Sequence, residues 1–149
     1  MTSSSQSRRV CIVAATSAMA EHTARLLAAR GDHLHLVGRD RDRLMVIAND
    51  LRNRGAVGVG VTVCDLAGLA DPDGLLDGVA RDLGGLDAVL MFQGVLGTQD
   101  QVETSTVAAR QVFDLNFTGP AELALASARR LQESTHPCPV VLAIGSVAG

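Results

Sequence analysis

The chain has 149 residues, enough for one domain with a sizeable core, and 47% of them are hydrophobic. Only 2% are aromatic, with no Trp or Tyr, so the core must be built from Val, Leu, Ile and Ala. A net charge of −3, with Arg and Asp scattered in pairs, argues against a broad nucleic-acid surface, and no apolar run is long enough for a membrane span.

The opening "MTSSSQSRR" is polar and lacks the apolar centre of a secretion signal. Residues 1–8 therefore read as a disordered tail, and 9–149 as a single domain of a cytoplasmic protein. "VCIVA" from Val10 reads as a first strand, followed by a helix from about Ala18 to Arg30 that Gly31 stops. "HLHLV" is a second strand. Leu44, Ile47, Ala48 and Leu51 then recur on one face of a helix that stops at Gly55. "VGVGVTV" is a third strand, and Leu75, Leu76, Val79 and Leu83 mark a helix ended by Gly84-Gly85. "LDAVLMF" is a fourth strand, a long helical stretch runs from Thr104 to Glu133, and "PVVLAIG" is a fifth strand.

Parallel strands need crossover connections, so this alternation predicts an α/β fold: a Rossmann-like, doubly wound parallel sheet with helices on both faces. The strands are apolar on both sides, as doubly covered strands should be. Ligands bind such sheets at the carboxyl ends of the strands, which makes the following residues the ones to read.

After strand one comes Ala14-Ala15-Thr16-Ser17-Ala18-Met19-Ala20. A helix N-terminus offers unpaired N–H groups to phosphate, and Thr16 or Ser17 could donate a hydroxyl or simply cap the helix. After strand two comes "GRDRDR", with Gly38 where an NAD-preferring site often carries an acid; Arg39 beside it favours the extra phosphate of NADP. Asp65, in Cys64-Asp65-Leu66, could accept from an adenine amino group or cap the next turn. Gly94 closes "MFQG" after strand four, where a glycine permits close approach of a ligand or merely a turn. Asn116, in "DLNFTGP", is a poor mid-helix residue with Gly119-Pro120 just beyond it. Either the helix kinks for packing, or the Asn side chain or its freed carbonyl has a task. Ser146 follows strand five, placed either to bond a substrate carbonyl or as a plain loop serine. Cys11, Cys64 and Cys138 are odd in number and widely spaced, and read as buried, reduced thiols rather than a disulfide. The four histidines lack partners at ligand spacing, so no metal is expected.

In this order the residues resemble the N-terminal part of a short-chain dehydrogenase/reductase over essentially the whole chain after the tail. "VAATSAMA" stands in place of that family's glycine-rich T-G-x-x-x-G-x-G loop, with Ala14, Ala18 and Ala20 at the three glycine positions. Asp65 matches the adenine-contacting acid, Gly94 the end of N-N-A-G, Asn116 the helix-four asparagine and Ser146 the catalytic serine. A bacterial branch with "ATSAIA" and "HGxLGDQ" is closer still to "ATSAMA" and "QGVLGTQ" here; it is assigned by similarity to reduction of a keto-sugar on a polyprenyl phosphate.

The resemblance implies NADP(H), in preference to NAD(H), held by Ala14, Thr16, Ser17, Ala18, Met19, Arg39, Asp65, Leu66 and Gly94. It implies hydride transfer to or from a small carbonyl or alcohol, with Ser146 and Asn116 as catalytic residues. A full-length form is expected to be a homodimer or homotetramer. The family's Tyr-x-x-x-Lys would lie about a dozen residues beyond Ser146, and these 149 residues contain no Tyr. The chain by itself is therefore expected to be inactive. The alternative is a non-catalytic nucleotide-binding or structural remnant with a degenerate phosphate loop.

Overall fold

The computed structural model describes residues 7–95 and 103–145. Five parallel strands, β1 (Arg9–Val13), β2 (His33–Gly38), β3 (Gly58–Val63), β4 (Ala88–Met91) and β5 (Val140–Ala143), form one sheet in the order β3-β2-β1-β4-β5. The helices between them are α1 (Ala18–Ala29), α2 (Arg41–Asn53), α3 (Pro72–Leu83), α4 (Thr106–Phe113) and α5 (Gly119–Leu131). The predicted doubly wound sheet is the observed one.

Alternation along each strand divides the core in two. Val10, Ile12, Leu34 and Leu36 point to the face covered by α1 and α2, where they meet Leu44, Ile47, Ala48 and Leu51, the predicted stripe of α2. Leu44 and Leu51 are fully buried, each stabilising the fold by roughly 1.5–3 kcal/mol. In α1 the buried face is Ala20, Ala24 and Ala28, one turn apart, and these small side chains let the helix lie close on the sheet. Cys11, Val13, Val37, Val89 and Met91 point to the opposite face, against Leu76 and Val79 of α3 and Leu123 and Leu131 of α5. Burial pushes the Cys11 thiol up to about 12, leaving it an inert apolar group.

Four expectations need correction. Ser7 and Arg8 belong to the fold rather than to a disordered tail: Ser7 Oγ donates to the Gly31 carbonyl, and Arg8 N donates to Asp32 Oδ1 at 2.8 Å. The first six residues lie outside the described ones. The long helix is not continuous, because a π-helical turn at Asp114–Thr118 separates α4 from α5. The strands are not all covered on both faces; Val141, Leu142 and Ile144 are about two-fifths exposed, since β5 edges the described sheet. Among the cysteines, which are all free, Cys138 is exposed rather than buried.

The π turn has a steric cause. Gly119 N donates to the carbonyl of Asp114, five residues back, and a Cβ on Gly119 would stand 2.9 Å from that oxygen. Pro120 lacks an N–H and so cannot serve the carbonyl four residues earlier, that of Asn116. Around this turn Val107, Phe113, Phe117 and Leu125 leave large apolar side chains in solvent, each about two-thirds exposed or more.

Candidate functional site

The sheet order reverses between β1 and β4, where chains leaving adjacent strand ends diverge and open a crevice. A cleft of about 220 Å³ lies there, lined by Ala14, Thr16 and Ser17 after β1, Gly38 and Arg39 at β2, and Cys64, Asp65 and Leu66 after β3. Phe92, Gln93, Gly94 and Val95 after β4, with Leu115 of the π turn, complete it. Complete small-molecule sites span about 300–1,000 Å³, so this volume suits one portion of an extended ligand lying along the strand ends.

Ala14 makes the turn out of β1 with φ +57°, a left-handed conformation that no other non-glycine among the described residues adopts. Its carbonyl accepts from Ser17 N at 3.1 Å, and Ala15 N reaches back to the Val37 carbonyl at 3.0 Å. An L-residue there costs about 1–2 kcal/mol, because Cβ crowds its own backbone. A glycine avoids that cost but gives back part of the gain through the freer unfolded chain. Ala14→Gly is therefore expected to raise stability by about 0.5–1 kcal/mol, or a melting temperature increase of roughly 2–3 °C in calorimetry. An unchanged or lowered melting temperature would show that the turn carries no such strain.

Ser17 is the N-cap of α1: its Oγ accepts from Ala20 N at 3.2 Å, and its carbonyl accepts from Glu21 N. Ala18 and Met19 do not line the cleft, and the Met19 side chain is largely in solvent. Contact from these two with an anion would run through backbone N–H groups, which have no acceptor within the helix.

Gly38 is buried at the end of β2, and a Cβ there would come within 3.4 Å of the fully buried Leu44. A carboxylate is thus absent from this place, and the next residue, Arg39, is exposed at the rim. Arg39 has no hydrogen bond or ion pair among the described residues, whereas nearby Arg43 is tied to Glu21 at 2.9 Å. Asp65 uses Oδ1 to accept from Ala67 N at 3.0 Å, the local turn-capping that its position allowed, while still lining the cleft. Burial, reinforced by the charge of Asp65, raises the Cys64 thiol above its ordinary value.

Asn116 stands outside the cleft but controls its wall. Its Oδ1 accepts from Val95 N and its Nδ2 donates to the Val95 carbonyl, both at 2.8 Å. This paired bond joins the π turn to the loop after β4, so both the kink and the side-chain task foreseen for Asn116 are present. Gly94 lies at this junction, 3.6 Å from Asn116 Oδ1 at its would-be Cβ. Beside β4, Ile144 N donates to the Met91 carbonyl at 3.0 Å, carrying the chain toward the same end of the sheet. Ser146 lies outside the described residues.

Seven predicted residues, Ala14, Thr16, Ser17, Arg39, Asp65, Leu66 and Gly94, thus share one cleft. The sequence reading did not assign Phe92, Gln93, Val95 or Leu115 to it. Gln93 stood inside the quoted "MFQG", but nothing in a sequence marks which side of the loop it faces. No group of three or more His, Cys, Asp or Glu able to hold a metal occurs among the described residues, and no described helix is long and apolar enough to cross a membrane.

A family model described as short chain dehydrogenase matches residues 8–149. An 11-beta-hydroxysteroid dehydrogenase-like 3 of Arabidopsis thaliana is 30% identical over 128 residues, covering 84% of this chain and 41% of the relative. An uncharacterized oxidoreductase of Streptomyces coelicolor is 34% identical over 145 residues, covering 95% of this chain and 55% of the relative. The chain therefore spans about half the length of these curated relatives. Among solved structures, a short-chain type dehydrogenase/reductase from Mycobacterium ulcerans superposes with a TM-score of 0.80 at 25% identity, over 96% of this chain and 52% of that one. An NADH-dependent reductase complexed with NAD shares the fold, with a TM-score of 0.81 at 19% identity over 95% of this chain and 60% of that one.

Proposed function

The chain belongs to the short chain dehydrogenase family, and on that footing we propose that its described residues form the cofactor-binding half of an NADP(H)-dependent carbonyl reductase or alcohol dehydrogenase. The observation that carries the preference for NADP(H) is the guanidinium of Arg39 at the cleft rim, without a hydrogen bond or ion pair among the described residues, next to Gly38 where a ribose-binding carboxylate is missing. Arginine presents a planar fork of donors suited to a phosphate monoester. Thr16, the first turn of α1 and the strained Ala14 turn would hold the pyrophosphate. Asp65 and Leu66 would meet the adenine. The nicotinamide, when bound, supplies the hydride chemistry, and the protein's part is to orient it.

Asn116 serves this site through Val95, holding the loop after β4 in place. Ser146 would hydrogen-bond the substrate oxygen. The proton donor that the family resemblance implies is a tyrosine, and none is among these 149 residues. We therefore expect the 149-residue chain to bind cofactor without turning over substrate. The substrate class is a small carbonyl or secondary alcohol, with a lipid-linked keto-sugar as its narrowest form. The apolar residues left in solvent on α4, the π turn and α5 support association into a homodimer or homotetramer.

Titration of the protein with NADPH and NADH, followed by the fluorescence of the reduced nicotinamide, tests this reading. NADPH is expected to bind about tenfold more tightly than NADH, the worth of one exposed charge-assisted contact. Arg39→Ala should erase that difference while leaving NADH binding within about twofold. Equal affinities in the parent protein would remove the preference for NADP(H), and no binding of either nucleotide would remove the cofactor-site reading itself.

A further inference from the structure

Two helices begin at the rim of the cleft. α1 starts at its cap Ser17 and α2 at its cap Asp40, directly after Arg39, and both Ser17 and Arg39 line the cleft. An ion pair joins these two starts: Arg43 Nη2 donates to Glu21 Oε1 at 2.9 Å. Glu21 lies one turn after Ser17, whose carbonyl accepts from the Glu21 N–H at 2.9 Å. Arg43 lies in the first turn of α2, where its backbone N–H donates to the Asp40 carboxylate at 3.0 Å. Neither Glu21 nor Arg43 lines the cleft.

The arginines around Glu21 differ in what else holds them. Arg25 approaches Glu21 at 3.7 Å, but has a closer carboxylate in Asp50 at 2.9 Å, which Arg54 also holds. The Arg43 side chain is more than half exposed, and its guanidinium has no other hydrogen bond or ion pair among the described residues. It also sits where a helix least favours a cation, because the unpaired N–H groups and the dipole make the start of α2 positive. The Glu21 carboxylate is therefore what fixes the position of this guanidinium.

We infer that Glu21 is a specificity-determining residue of the proposed cofactor site: it withholds Arg43 from the 2′-phosphate and leaves that group to Arg39. The inference rests on the NADP(H) reading above and adds to it a residue that makes no contact with the cofactor. The Arg43 backbone stands only about 5 Å along the helix axis from the cap beside Arg39, a span that an arginine side chain covers by changing rotamer. Once the carboxylate is neutral, a phosphate dianion bound at Arg39 becomes the better partner for the second planar fork of donors. NADH lacks that phosphate and gains nothing.

The test is a double-mutant cycle, with NADPH and NADH affinities read for the parent, Glu21→Gln, Arg43→Ala and the double variant. Salt is kept at about 0.15 M, so that charges more than about 8 Å apart are largely screened. Glu21→Gln keeps the shape of the side chain and removes its charge. It should raise NADPH affinity about three- to tenfold and leave NADH affinity within about twofold. Arg43→Ala should leave the ratio of the two affinities within about twofold, since the parent already withholds this arginine, and in the double variant the gain should vanish. If the parent prefers NADPH and Glu21→Gln does not widen that preference, the inference fails and the NADP(H) reading stands. If the gain survives in the double variant, lost repulsion from the carboxylate explains it, and the inference fails. If the parent binds neither nucleotide, or binds both equally, the reading beneath the inference fails and takes the inference with it.

Discussion

Asp87→Ala is expected to destabilise the protein by about 3–5 kcal/mol, the usual cost of removing one partner from a buried ion pair. Asp87 is only 2% exposed, yet its carboxylate accepts four hydrogen bonds: Arg9 N at 2.9 Å, Arg9 Nε at 2.9 Å, an Arg9 terminal nitrogen at 2.7 Å, and Ser134 Oγ at 2.7 Å. Its backbone joins the same knot, donating to the Arg9 carbonyl and accepting from Val140 N. One side chain therefore fastens the entry points of β1 and β4 and the segment that leads from α5 into β5. Burial by itself would raise the Asp87 carboxyl; the bonds from Arg9 and Ser134 outweigh it and hold the group well below the usual carboxylate range.

The sign follows from that depression. Stability from Asp87 is complete above the unfolded pKa near 3.8 and is lost as pH falls toward the lower folded value. Thermal unfolding at neutral pH should show Asp87→Ala melting roughly 10 °C below the parent. Asp87→Asn, which keeps the shape and some acceptors, should fall between. A loss under about 1 kcal/mol would mean that the knot is replaced by solvent at little cost.

Gly60→Ala is expected to cost about 1–3 kcal/mol, because β3 has no room at this position. A Cβ there would lie 2.9 Å from His35 Cε1, and closer still to His35 Nδ1 and the Asp82 carboxylate. The His35 ring is buried and cannot retreat, since its Nε2 is held at 2.8 Å by Thr62 Oγ1. Asp82 Oδ2 lies 2.9 Å from Nδ1, within ion-pair range but without hydrogen-bond alignment. Burial lowers the His35 pKa and Asp82 only partly opposes it. The unfolded chain then takes up a proton near pH 6.5 before the folded one does, so stability declines as pH drops below about 6.5. Urea unfolding between pH 5 and 8 should show this decline in the parent and a flatter profile in His35→Gln. The same slope in both proteins would place the effect elsewhere.

Element order and sheet direction were legible because they follow from periodicity and stop signals. The α2 stripe and the glycines behind α1, α2 and α3 are where the pattern placed them. The site was legible only as a set of positions after strands. The left-handed backbone at Ala14 gives no signal in an alanine-rich stretch, and the π turn needs the Gly119–Asp114 approach to be seen in space. The Asn116–Val95 bond spans 21 residues and the Arg9–Asp87 bond 78, separations over which composition and period carry no information.

The sheet order also bears on how the protein assembles. β1 pairs on one edge with β2, Arg9 opposite His33, and on the other with β4, which comes much later in the chain and brings Asp87 to Arg9. Loop-closure entropy grows only with the logarithm of length, so the second closure costs roughly 1 kcal/mol more than the first. That is a bias toward the β1-β2-β3 half, and it is small. On a growing chain it is reinforced by timing, since Arg9, Asp32 and the first three strands have emerged before Asp87 exists to bind. The central strand thus carries an open edge during synthesis, and the arrival of Asp87 ends that exposure.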